Sequence, residues 1–195
     1  MKYLINIILL LIVAFLGYLL YTSIKEPIAF GETKDRRQNV VVDKLREIRT
    51  AQEIYRSIKG QFAGSFDSLA YTLKTDSIPF VKIIGDPDDP TNQDKFQKTI
   101  TYSAAYDSIK ALGINLDSLK YVPYADNGAT FEIAADTIEY QKTTVGVVEV
   151  GTKWKTFMGK YGDKRFSKYD ASYDPNKTLK FGDMNTPNIS GNWER

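Results

Sequence analysis

The chain opens with an apolar run from Tyr3 to Tyr21, broken only by Asn6, and then changes to a pattern in which apolar residues recur at steps of three and four. At 1.5 Å per residue, about 19 helical residues reach roughly 28 Å, close to the hydrocarbon thickness of a bilayer. Tyr3, Tyr18 and Tyr21 stand where interfacial aromatics are expected. Residues 3–21 therefore predict a membrane-spanning helix inside an anchor of residues 1–22. A cleaved signal peptide is the competing reading, and it calls for an apolar core of about 7 to 15 residues followed by a small-x-small site. Gly17-Tyr18-Leu19-Leu20-Tyr21-Thr22-Ser23 offers no such site, so the anchor is expected to be retained.

From Arg37 to Phe62, Val41, Leu45, Ile48, Ala51, Tyr55 and Ile58 fall on one face at 3.6 residues per turn. Lys44, Arg46, Glu47, Arg49, Glu53 and Arg56 fall on the other, with Arg49 and Glu53 one turn apart, and Gly60 follows where a left-handed C-cap belongs. This is the pattern of an amphipathic helix. Ala51, Ile54 and Ile58 widen the apolar stripe, while a coiled-coil seam would contain Gln52 and last barely more than two heptads. The helix is accordingly expected to dock on a sheet of its own domain. Between anchor and helix, Pro27 lacks an amide proton and Gly31 is a poor helix former, which predicts a juxtamembrane hinge over residues 23–36.

Residues 37–195 then read as one α+β domain with an antiparallel sheet. Ser65 can cap a short helix whose stripe is Phe66, Leu69, Ala70 and Leu73. Ile78–Ile84 and Lys98–Ser103 look like strands, the first limited by Pro79 to a strand start or an edge. Asp107–Leu112 reads as a short helix and Leu116–Tyr121 as about one turn. Asn127-Gly128 is a turn signal ahead of three runs, Thr130–Ala134, Asp136–Gln141 and Thr144–Val150, which together predict a meander. Lys153–Tyr161 is a further helical candidate and Thr178–Phe181 a final strand. The recurring Asp-Ser-apolar triplets at Asp67, Asp76, Asp107 and Asp117 have irregular spacing and suit local capping better than an internal repeat.

Composition narrows the chemistry. With 195 residues, 43% of them hydrophobic, the chain can bury a core. Its 26 basic and 24 acidic side chains leave a net charge of +2, which gives no electrostatic footprint for nucleic acid. The absence of cysteine and histidine removes disulfides, thiolate and imidazole catalysis, and the usual zinc, haem and iron-sulfur ligands. No phosphate-loop, dinucleotide, nucleophile-elbow or metalloprotease pattern is present. A non-enzymatic protein without a cofactor is the expectation; a carboxylate pair or a Ser-Lys dyad is the route by which it would be an enzyme.

Three places carry candidate binding chemistry. Asp86, Asp88, Asp89 and Asp94, with Asn92, supply hard oxygen ligands of the kind calcium uses, but the loop lacks the EF-hand glycine and glutamate, and turn chemistry explains it equally well. The stretch 154–181 interleaves Trp154, Phe157, Tyr161, Phe166, Tyr169 and Tyr173 with lysines and arginine, and residues 151–195 carry nine basic and five acidic side chains. Such mixing suits stacking on bases or sugars, contact with an anionic surface, or a core that shares its stretch with a lysine-rich surface. Trp193, alone in the polar tail, is expected either to dock on its own domain or to anchor a partner, alongside Trp154 and Tyr161.

The segment Ala-Gln-Glu-Ile-Tyr-Arg-Ser-Ile-Lys-Gly-Gln-Phe at 51–62, followed by Asp67-Ser68-Leu69, resembles the post-anchor helix of pilins and pseudopilins. The chain differs from them in having no glutamate near the start of its anchor. Gly64-Ser65-Phe66-Asp67-Ser68-Leu69 and the terminal Gly191-Asn192-Trp193-Glu194 are similar to a group of uncharacterised single-pass envelope proteins of Gram-negative bacteria. That resemblance implies an inner-membrane anchor and a periplasmic domain and supplies no catalytic residues; the expected role is a structural or protein-binding subunit of an assembly, with a pseudopilin-like filament component or a carboxylate-dependent enzyme as the alternatives. Counted by charge alone, Lys2 before the anchor and Lys25, Lys34, Arg36 and Arg37 after it favour a cytoplasmic domain, although long translocated domains escape that rule.

Overall fold

The computed structural model describes residues 2–84 and 97–194. One helix, α1 (Lys2–Lys59), runs through both the apolar segment and the amphipathic segment. Its first part stands clear of everything else: Leu4 to Tyr21 expose their apolar side chains, Leu10 at 70%. Its last part is the spine of the domain, with Val41, Leu45, Ile48 and Ala51 all fully buried. The chain is thus an α+β protein with a long apolar N-terminal helix and a small domain built on antiparallel sheets. That helix is long and apolar enough to cross a membrane.

The predicted break at Pro27 and Gly31 is not present, and residues 23–36 are helical throughout. Proline at position 27 removes the amide that would bond to the Ser23 carbonyl, a loss of about 3 kcal/mol in a helix interior. Ser23 is exposed, so its free carbonyl has access to solvent. The helix is further held on the domain side of Pro27 by Phe30, which is only 2% exposed. Tertiary packing overrides the local signal.

α2 (Phe66–Thr75) begins at Ser65, whose hydroxyl accepts a hydrogen bond from the Ser68 amide at 3.2 Å, the cap its sequence promised. Of the triplet aspartates, Asp76 lies beyond the end of α2 and pairs with Lys59 at 2.8 Å, while the turn at Asp117 is capped by Asn115, whose Oδ1 accepts from the Asp117 amide at 3.0 Å. β1 (Ser77–Ile84) and β2 (Gln97–Ala104) form a separate antiparallel ribbon in register from Ser77 opposite Ala104 to Ile84 opposite Gln97. α3 (Ala105–Ala111) packs beneath it through Ala105 and Ile109.

The larger sheet is β3 (Glu132–Tyr140), β4 (Thr143–Lys153) and β5 (Thr178–Gly182), in that order and antiparallel. It corrects the predicted meander: the runs 130–134 and 136–141 are one strand, and β5 takes the third place. Asn127-Gly128 makes the turn its sequence signals, a 3-10 turn ahead of β3, whereas the β3–β4 hairpin turns at Gln141 and Lys142, both with positive φ (51° and 66°). Ile133, Val150 and Phe181 are aligned across the three strands and join the core with Val148, Leu179 and the buried face of α1. Gln52 lies in the middle of this core, fully buried, where its amide donates to the Ala63 carbonyl and accepts from the Ala63 amide, both at 2.9 Å. A buried glutamine satisfied in this way ties α1 to the turn that follows it.

Candidate interaction site at the base of the domain

α4 (Trp154–Met158) and two 3-10 turns carry the aromatic, basic stretch back against α1 at the end of the domain nearest the apolar segment. Phe30 is the centre of the packing. It stacks on Phe166 at 5.7 Å and meets Tyr161 and Tyr173 edge-on at 5.6 and 5.1 Å. Around it, α1 offers three polar contacts: Glu26 accepts from the Tyr169 hydroxyl, Lys34 pairs with Asp170, and Arg37 donates to the Phe157 carbonyl at 2.5 Å. Gly159, at φ +57°, leaves room for the Arg37 guanidinium, which would lie 3.0 Å from a side chain there. The Arg37 Nε is buried without a partner among the described residues.

The electrostatics follow from these contacts. Hydrogen bonds from the Lys34 ammonium and from Ser172 hold the Asp170 carboxyl at about 2, well below its ordinary 3.8. Burial, with Asp174 and Asp163 nearby, pushes the Tyr173 phenol up to about 12, and its hydroxyl donates to the Tyr161 carbonyl at 2.7 Å. Because the Asp170 value is depressed on folding, its stabilisation is complete above about pH 4 and is lost as pH falls toward 2. With a quarter of that side chain exposed, screening reduces the contribution to about 1 kcal/mol. Asp170→Asn should therefore lower stability by about that amount at neutral pH and flatten the acid limb of a stability–pH profile between 4 and 2.

The three aromatic candidates occupy different settings. Tyr161 is 5% exposed and belongs to the core, and Trp154 is half-buried against Phe157 and Tyr173. The stretch is a core face whose cations lie over their own neighbours: Lys160 over Tyr161 at 4.8 Å, Arg165 over Phe166 at 4.6 Å, Lys168 over Tyr169 at 4.5 Å. Trp193 is half-buried against its own domain, beside Gln38, Asn39, Val42, Asp43 and Arg46 of α1. A side chain at Gly191 would come within 2.3 Å of its ring, so only glycine admits that packing. The tail is fastened on either side: the Asn192 amide donates to the Lys180 carbonyl at 2.9 Å, and Glu194 pairs with Arg49 at 2.9 Å. Arg49 thus reaches the tail and not Glu53. Trp193→Ala should cost about 2 kcal/mol and release residues 188–194 to rapid amide exchange, measurable by hydrogen exchange and thermal melting.

Asp86, Asp88, Asp89 and Asp94 lie outside the described residues. Elsewhere, among the described residues, no group of three or more carboxylates gathers as a metal cage. The carboxylates of the cleft beside Val40, Asp43 and Glu47, are each tied to a cation of their own helix, Arg46 at 2.9 Å and Lys44 at 2.8 Å. Sequence reasoning missed two features. Glu26, Phe30 and Lys34 were hidden by the expected hinge, although their spacing with Arg37, the first residue of the predicted helix, is itself a helical stripe. The β1–β2 ribbon presents Val81, Ile100 and Tyr102 to solvent, 51%, 48% and 67% exposed, and all three share one face with Pro79 by register. In comparisons with known proteins, the chain matches no family model, no curated protein and no solved structure.

Proposed function

We propose that this chain is a non-enzymatic, membrane-anchored subunit of the cell envelope whose domain binds another protein or assembles with copies of itself. The observation that carries the reading is the continuity of α1. The residues that suit lipid and the residues that form the domain core are successive parts of one rod, so the domain is held at a fixed height and angle over the bilayer. A tether for a diffusing enzyme has no need of that stiffness; a subunit of an assembly does. The exposed apolar face of the β1–β2 ribbon supports the binding part of the reading, because a two-stranded ribbon is marginal alone and gains from a covering partner. On the likeness at residues 64–69 and 191–194, the anchor lies in an inner membrane and the domain in the periplasm.

A pseudopilin-like filament component is the second reading. It is favoured by the protruding apolar half of α1, which would then pack against the same half of neighbouring copies. Purification of the full chain from its native membrane separates the two. A distinct protein that co-purifies, and is lost when Val81 and Ile100 are both replaced by lysine, supports the first reading. Helix-to-helix cross-links between copies through residues 4–21 support the second. A monomer with neither overturns both.

A further inference from the structure

The basic excess of the C-terminal part has a place in the fold that composition did not disclose. Lys160 lines a cleft with Thr22, Lys25, Glu26 and Ala29 of α1, so the stretch 159–168 stands beside the first turns after the apolar segment. Along a helix, Thr22 and Lys25 rise only about 1.5 and 6 Å above Tyr21. The headgroup layer adds about 5 to 8 Å to each side of the hydrocarbon, so this end of the domain lies at headgroup level once residues 3–21 span. Lys160, Lys164, Arg165 and Lys168 are all exposed there, as is Lys25. Of the nearby acids, Asp170 is offset by Lys34, while Glu26 accepts from the Tyr169 hydroxyl and Asp163 from the Arg165 amide at 2.8 Å, so five cations stand against two carboxylates. Among the described residues, none of the five cations forms an ion pair.

We propose that Lys25, Lys160, Lys164, Arg165 and Lys168 form a membrane-facing basic rim that binds the phosphate headgroups of anionic phospholipids around the anchor. The rings of buried Tyr161 and Phe166 and of half-buried Tyr169 lie against Lys160, Arg165 and Lys168, and attraction to a charged leaflet acts within a Debye length. The proposal rests on the anchor reading.

The full chain, reconstituted in phosphatidylcholine bilayers, is tested with spin-labelled phosphatidylglycerol and spin-labelled phosphatidylcholine as probes of lipid held at the protein surface. Phosphatidylglycerol should be held in roughly fivefold preference, about what one basic side chain near a charged surface supplies, and high salt should erase the preference. Replacing Lys160, Lys164, Arg165 and Lys168 together by glutamine should bring the ratio close to one. Equal retention of the two lipids by the unaltered chain would overturn the rim while leaving the anchor intact, as would a preference that the fourfold replacement does not change. No retained lipid of either kind would overturn the anchor reading and the rim with it. Should the fourfold variant fail to fold, the salt response of the unaltered chain decides.

Discussion

Ile48→Asp should leave the chain in the membrane and unfold its domain. Ile48 is fully buried where α1 meets the core. The substitution forfeits about 1.5 to 3 kcal/mol of side-chain burial and places a carboxylate among apolar groups that offer it no partner, a further several kcal/mol. Small domains are stable by about 5 to 15 kcal/mol, so the sum removes most or all of the margin. The expected result is loss of the near-ultraviolet circular dichroism of the aromatic core and loss of a cooperative melt, with the chain still sedimenting with bilayers. An unchanged melting temperature would mean that this face of α1 is free for a partner, contrary to its observed burial.

The second large effect belongs to Phe30. Removing a buried phenylalanine costs about 3 to 5 kcal/mol, and here it withdraws the ring on which Tyr161, Phe166 and Tyr173 converge. Phe30→Ala should lower the melting temperature by many degrees and should also act on α1 itself. Once the 159–173 stretch loosens, little remains to offset the missing amide at Pro27, so the helix is expected to bend there. Increased amide exchange in residues 23–36, together with faster proteolysis at that stretch, would register the bend. A variant destabilised without any change in those residues would separate the ring cluster from the continuity of the rod.

That coupling explains what the sequence could and could not convey. The stripe of Val41, Leu45, Ile48, Ala51 and Tyr55 is a local signal, and the face it marks is the buried face. The cap at Ser65 and the ribbon strands are local too, and they appear where the pattern puts them. Pro27 misleads because a proline rule sees only its own turn, whereas the contacts that hold the helix come from Phe166, Tyr169 and Asp170, more than a hundred residues away. The hairpin at Gln141-Lys142 was illegible for a related reason. Neither residue favours positive φ, and the pairing of β3 with β4 imposes it. Asn127-Gly128, a strong turn pair, makes its turn ahead of β3, where the sequence places it. At the base of the domain, composition announced aromatics mixed with cations, but only the fold shows that the rings turn inward and the cations outward beside the apolar segment.

The continuity of α1 through Pro27 is best tested by distance measurement. The chain has no native cysteine, so spin labels at Ser23→Cys and Asn39→Cys, both exposed positions, report on that helix alone. For the full chain in bilayers, a single narrow distribution centred at about 30 Å is predicted, because sixteen helical residues rise about 24 Å and turn the two labels to nearly opposite faces. A broad distribution, or one centred well below that distance, would place a hinge between the apolar segment and the domain and contradict the account.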